Sequence, residues 1–131
     1  MKTLIVEDDF TSRLLLQEIL KSYGVVHIAV NGKEAVHAVR EAMDAHDPYN
    51  LICLDIMMPE MDGYEALKEI RRLEAERGIL SSFGAKVFMT TALDGVKNVA
   101  EAFESLCDIY LLKPVEKPKL LSELRALNLI A

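Results

Sequence analysis

The polar side chains best able to do chemistry in this chain stand where its apolar segments end. They are Glu7, Asp8 and Asp9, then Asp55, then Thr90 and Thr91, and finally Lys113 with Pro114. Carboxylates that lie close together repel one another unless a proton or a cation intervenes. Hard oxygen ligands of this kind suit Mg²⁺, which often bridges carboxylates to phosphate oxygens. The pattern therefore indicates a magnesium site that also receives a phosphoryl group.

Phosphoryl transfer asks of a protein mainly positioning and charge neutralisation, and these residue types supply both. Asp55 would be the nucleophile, and its product would be an aspartyl phosphate. Mg²⁺, Lys113 and the hydroxyl of Thr91 would stabilise the equatorial oxygens of the phosphoryl group.

Each of these residues, taken singly, also has an ordinary structural interpretation. Asp8 and Asp9 can cap the N-terminus of a following helix, where the helix dipole favours a carboxylate. Asp55 can be a cap or turn residue, and Lys113-Pro114 can simply end a strand. It is the combination of polar residues at four strand ends that favours the chemical interpretation.

The elements that must position these residues alternate between strand-like and helix-like patterns and form five strand–helix units. The strands are nearly continuous apolar runs, which is typical of a parallel sheet covered on both faces. Ligands bind such a sheet at the carboxyl ends of its strands. Predicted strands span 2–6, 25–30, 51–54, 86–90 and 109–112, and predicted helices span 11–23, 33–45, 62–77, 94–106 and 117–129.

Composition narrows the class of protein. A length of 131 residues suits one domain, and 51% hydrophobic with 27% charged residues is ordinary for a globular protein. The net charge of -6 argues against nucleic-acid binding, which needs a basic face. Cys53 and Cys107 are too few for a disulfide framework or a zinc site. With no apolar run of about 18 residues, we expect a cytoplasmic protein without a membrane segment.

These motifs resemble the receiver domain of two-component response regulators, from the segment 3–9 through Lys113-Pro114 to the last helix. The most specific stretch is 55–63, which reads Asp-Ile-Met-Met-Pro-Glu-Met-Asp-Gly. The resemblance implies an α/β, flavodoxin-like doubly wound (βα)5 three-layer sandwich with strand order 2-1-3-4-5. It also implies a single receiver domain over 1–131 that is switched by phosphorylation and is not an enzyme acting on other substrates.

The resemblance assigns a role to each residue around the metal. Asp55 is the phosphoacceptor, Asp9 binds Mg²⁺ (or Mn²⁺) directly, and Asp8 binds it directly or through water. The main-chain carbonyl of Met57 is a further ligand.

It also implies a switch. The Thr91 hydroxyl bonds the phosphoryl group in the active state, and Tyr110 then turns inward. Lys113 contacts the phosphoryl group, and the Lys113–Pro114 peptide is expected to be cis. Met57 and Leu93 occupy the two positions that tune dephosphorylation, and because both are apolar we expect a long-lived phosphate.

Partners follow from the same resemblance. A sensor histidine kinase or a histidine phosphotransfer protein would supply the phosphoryl group. A downstream target protein would bind the surface of the predicted fourth helix, fifth strand and fifth helix. We expect no direct DNA binding, and a monomer or a weak phosphorylation-dependent dimer. Because no linker begins at the end of the sequence, we favour a stand-alone regulator, with a receiver cut from a longer chain as the alternative.

Three rival functions are less consistent with the sequence. A phosphatase of the haloacid dehalogenase type needs a second acid two residues after the nucleophile, where this chain has Met57. A flavin- or nucleotide-binding domain needs a glycine-rich loop after the first strand, where this chain has acids. A receiver-like module that no longer accepts phosphate would not be expected to keep all five key residues.

Overall fold

The computed structural model of the protein describes residues 1–80, 83–92 and 107–131. The strands are β1 (Thr3–Val6), β2 (Val26–Ala29), β3 (Leu51–Asp55), β4 (Lys86–Thr91) and β5 (Ile109–Leu112). The helices are α1 (Phe10–Leu20), α2 (Gly32–Asp44), α3 (Gly63–Glu76) and a C-terminal helix (Lys117–Ala126). The predicted helix at 94–106 and the predicted role of Leu93 lie outside the described residues.

The strands form one parallel sheet in the order β2-β1-β3-β4-β5, which confirms the predicted fold class. Every residue of β1 and β3 is buried, because these central strands are covered on both faces. In the β1–β3 pair Thr3 aligns with Leu51 and Val6 with Leu54. The carboxyl ends of neighbouring strands therefore meet at one edge of the sheet.

Two apolar clusters cover the two faces of the sheet and make the fold a three-layer sandwich. On one face α2 and α3 contribute Val39, Leu67 and Ile70, among others, to a cluster with Leu4 and Leu54. On the other face α1 and the C-terminal helix form the second cluster, which includes Leu16, Leu20, Ile5, Phe88, Leu120 and Leu124.

Two predicted helix ends were wrong by three residues, and the other described boundaries agree within one residue. The first helix ends at Leu20 and continues as a short 3-10 turn, Lys21–Tyr23, before Gly24 with its φ of 138°. The C-terminal helix ends at Ala126 because Asn128 adopts a left-handed conformation with φ of 59°. No helix within the described ranges is long and apolar enough to cross a membrane.

A partly buried ionic network, which we call the Arg71 network, joins α3 to the amino ends of β4 and β5. Arg71 Nη1 lies 2.8 Å from Glu74 Oε1 and donates to the carbonyl of Ala85 at 2.9 Å. Glu74 Oε2 in turn accepts from the Ala85 amide at 2.8 Å. Asp108 Oδ2 accepts from the Val87 amide at 2.8 Å and lies 3.4 Å from Arg71 Nη2. These bonds fix the edge of the sheet opposite the polar strand ends.

Candidate functional site

Glu7, Asp8 and Asp55 form an acidic cluster at the carboxyl edge of the sheet. Their carboxylate oxygens all lie within 4.8 Å of one another. Glu7 directly follows β1 and Asp55 is the last residue of β3, so the parallel register brings the two together. Glu7 is fully buried and Asp55 is 4% exposed, whereas Asp8 is open to solvent. The cluster thus has two buried acids and one accessible acid.

Asp9 is not one of the three acids of this cluster, and its sequence-based assignment as a metal ligand stays a prediction. Its Oδ2 accepts from the Ser12 amide at 2.9 Å and caps α1. Hydrogen bonds from Ser12 hold the pKa of Asp9 below its usual value. Glu7 lies in the cluster because its amide bonds the Ala29 carbonyl at 3.1 Å and keeps Glu7 at the edge of the sheet.

Lys113 is the cation of the site and approaches the cluster from the end of β5. Its Nζ lies 2.9 Å from both carboxylate oxygens of Glu7 and 3.3 Å from Asp55 Oδ1. Burial opposes the ammonium charge, but the hydrogen bond to Glu7 and the charge of Asp55 together keep the pKa of Lys113 above its usual value. The Lys113–Pro114 peptide is cis, the isomer expected from the sequence.

The electrostatics of the cluster favour an added cation. Burial, followed by the negative charge of Glu7, raises the pKa of Asp55 to about 7, although Lys113 and the Met57 amide oppose that rise. In the part of the chain that the structure describes, three carboxylates face the Lys113 ammonium, so the fully ionised cluster carries excess negative charge there. In addition, Glu7 Oε2 is buried, and although the Lys113 ammonium lies 2.9 Å away it makes no well-aligned hydrogen bond among the described residues. A divalent cation with oxygen ligands fits this donor set.

The loop after β3 holds Asp55 from the other side. The Met57 amide donates to Asp55 Oδ1 at 3.3 Å, and the Met57 side chain is 63% exposed. The loop closes where the Gly63 amide bonds the Ile56 carbonyl at 2.9 Å. A Cβ at Gly63 would lie 2.5 Å from the carbonyl oxygen of Asp55, so only glycine permits this close approach of α3.

Thr91 and Tyr110 lie on neighbouring strands and share one face of the sheet. Tyr110 aligns with Met89, and Thr91 is two residues further along β4, so their side chains project to the same side. Thr91 is buried at 5% exposure, and Tyr110 is half-buried against the cluster on the α2–α3 face. This arrangement suits a coupled movement, and the switch roles of the two residues stay predictions.

Comparison with known proteins agrees with the fold. Residues 3–125 match the family model described as "Response regulator receiver domain". The chain is 34% identical over 122 residues to the chemotaxis protein CheY of Bacillus subtilis, covering 92% of this chain and 91% of CheY. It is 33% identical to a part of the osmosensing histidine protein kinase SLN1 of Saccharomyces cerevisiae, covering 92% of this chain but only 9% of SLN1.

A solved structure shares the same architecture. The receiver domain of the histidine kinase CKI1 from Arabidopsis thaliana, complexed with Mg²⁺ and BeF₃⁻, superposes with a TM-score of 0.79 at 30% identity. The match covers 97% of this chain and 89% of that structure. This chain therefore belongs to the response regulator receiver domains, the non-enzymatic phosphoacceptor modules of two-component signalling that work with histidine kinases.

Proposed function

We propose that Asp55 accepts the phosphoryl group in this receiver domain. One observation carries the proposal: Asp55 is a buried carboxylate at the carboxyl edge of the sheet, 3.3 Å from the Lys113 ammonium and beside two further acids. A buried anion that is only partly neutralised is costly, and a bound divalent cation would offset that charge and also the charge that a phosphoryl group adds.

The phosphoryl donor is a phosphorylated histidine of a sensor kinase or of a phosphotransfer protein. A carboxylate oxygen of Asp55 attacks the phosphorus, so that a P–O bond forms while the P–N bond to the donor imidazole breaks. The released imidazole nitrogen takes up a proton from solvent. Lys113 supplies a positive charge at the transferring group, and the Met57 amide orients Asp55 through its bond to Oδ1.

The metal set that we propose is Asp8 and Asp55 with the main-chain carbonyl of Met57, and Glu7 in the place first given to Asp9. Mg²⁺, or Mn²⁺, would supply positive charge to the phosphoryl oxygens when bound. Support comes from the accessible Asp8 carboxylate and from the distances of less than 4.8 Å between the carboxylate oxygens of Glu7, Asp8 and Asp55.

The output of the domain would be a changed surface. We propose that Thr91 moves toward the phosphoryl group, that Tyr110 turns inward, and that a downstream protein reads the surface near β5 and the C-terminal helix. The buried free thiol of Cys53 is compatible with a reducing cytoplasm, which is where we propose that the protein acts.

The direct test is incubation of the chain with acetyl phosphate and Mg²⁺, followed by intact-mass measurement. We expect one added phosphoryl group, which Asp55→Asn abolishes. Asp62→Asn is the matched control, because Asp62 lies in the same loop and caps α3 through the Glu65 amide at 2.9 Å. Labelling that persists in Asp55→Asn would contradict the assignment of Asp55.

A further inference from the structure

Arg13 reaches back from the first turns of α1 to the acidic segment 7–9. Its Nη1 donates to the main-chain carbonyl of Glu7 at 3.1 Å. Its guanidinium also lies over the ring of Phe10, with Cζ 5.5 Å from the ring centroid. The side chain is half-buried, so both contacts hold it in one orientation.

The other polar groups of this segment are fixed as well. The Glu7 amide bonds Ala29, and the Glu7 carboxylate holds Lys113 and accepts from the Asp9 amide at 3.2 Å. The Asp9 carboxylate caps α1. Within the described ranges, Asp8 is the acid of the segment whose carboxylate makes no hydrogen bond or ion pair. The segment is thus anchored on both sides of Asp8, while the Asp8 side chain is left available.

We infer that Arg13 is a positioning residue for metal binding. By fixing the Glu7 carbonyl it fixes the peptide that leads directly into Asp8, and so directs the Asp8 carboxylate toward Asp55. Hydrogen bonds that orient metal ligands commonly change metal affinity by about 10- to 100-fold when they are removed. The inference rests on the proposed metal set at Asp8 and Asp55.

The sign of the effect separates this role from simple electrostatics. Arg13 is a positive charge near an acidic site, so its charge alone weakens the binding of a cation. Removing that charge would then strengthen Mg²⁺ binding. A positioning role predicts weaker Mg²⁺ binding instead. Without the bond from Arg13 to the Glu7 carbonyl, the segment would hold Asp8 in the binding geometry for less of the time.

The test is calorimetric titration of the intact chain with Mg²⁺ alone, at constant ionic strength and without a phosphoryl donor. We expect Arg13→Met to weaken Mg²⁺ binding by about tenfold. Arg13→Lys keeps the charge and a donor and should fall between wild type and Arg13→Met. The matched control is Arg125→Met. Arg125 lies on the C-terminal helix, and its side chain also donates to a main-chain oxygen, that of Ala131, at 3.3 Å. This variant should leave Mg²⁺ affinity unchanged.

Unchanged or tighter Mg²⁺ binding in Arg13→Met would overturn the inference. If Arg13→Met lowers the metal-free Tm more than Arg125→Met does, Phe10→Leu becomes the deciding variant, since it removes only the ring beneath the guanidinium. Weaker Mg²⁺ binding in Phe10→Leu would then support positioning, and unchanged binding would refute it. Failure of wild type to label at Asp55 counts against the proposed function, whereas normal labelling with an unaffected Arg13→Met counts against this inference alone.

Discussion

Lys113 Nζ lies 2.9 Å from both carboxylate oxygens of Glu7. Lys113 follows β5 and Glu7 follows β1, and these two strands are not neighbours in the sheet. Asp55 ends β3, one of the two strands between them, and its Oδ1 lies 3.3 Å from the same ammonium. Glu7 therefore has two opposing effects on Asp55. It holds the cation that neutralises Asp55, and it adds a negative charge that makes ionisation of Asp55 harder.

Replacing Glu7 by glutamine should lower the pKa of Asp55. The pKa of about 7 arises first from burial and next from the charge of Glu7, so Glu7→Gln removes the second cause and leaves the first. Carbon-13 NMR titration of the Asp55 carboxyl group, in metal-free buffer, measures the change. Asp62→Asn is the control and should not alter the titration. An unchanged or higher pKa for Asp55 in Glu7→Gln would count against this account of the site.

Asp55 should make the metal-free protein less stable as the pH rises. Its pKa is about 7 in the fold, against about 3.9 in an unfolded chain. Between these values the folded state binds more protons, so the contribution to stability is complete below about pH 4 and is lost as the pH passes about 7.

Asp55→Asn should remove this dependence. Between pH 4.5 and pH 8, the free energy of unfolding of the variant should rise relative to that of wild type by roughly 2 kcal/mol. This is about half of the value expected from the full pKa difference, because solvent reaches the cluster. Urea unfolding of the dialysed proteins at the two pH values measures the difference. If the free energies of unfolding of the variant and of wild type changed equally between the two pH values, the prediction would be refuted.

Gly63→Ala should disturb both stability and phosphorylation. The new Cβ would lie 2.5 Å from the Asp55 carbonyl oxygen and 2.8 Å from Ile56 Cα, so α3 and the β3 end must separate. We expect the free energy of unfolding to fall by about 1–3 kcal/mol. We also expect slower labelling by acetyl phosphate. Gly78→Ala is the control, because Gly78 has φ of 73° but no atom within 4 Å of a Cβ. It should cost about 1 kcal/mol and leave the labelling rate unchanged. Equal labelling rates for the two variants would contradict this prediction.

The phosphorylated protein should keep its phosphoryl group for longer than seconds. Met57 follows Asp55 closely, is 63% exposed and has no group that can orient an attacking water. Met57→Asn supplies an amide there and should shorten the lifetime several-fold, as measured by intact mass after removal of the donor. Leu80→Asn, at a leucine that is 67% exposed, is the control for surface polarity. Loss of the group from wild type within seconds would exclude a long lifetime.

The sequence predicted the edge of the sheet that carries the site, because each apolar run stops at a polar residue. It could not decide which of three consecutive acids faces Asp55. That choice depends on the bond between the Glu7 amide and the Ala29 carbonyl, which joins the ends of β1 and β2 in the folded sheet. The capping interpretation was right for Asp9, where Ser12 provides the amide. Arg13 gave no sequence signal, since a lone arginine on a helix usually faces solvent.

The Arg71 network gives β4 two unequal ends. Near its amino end, the amides of Ala85 and Val87 are bonded to the carboxylates of Glu74 and Asp108. At its other end, Thr90 aligns with Asp55, and Thr91 follows it. These bonds hold the amino edge of the sheet in place against α3. We expect a small displacement at the carboxyl edge to change the shape of the nearby surface while the amino edge of the sheet stays in place.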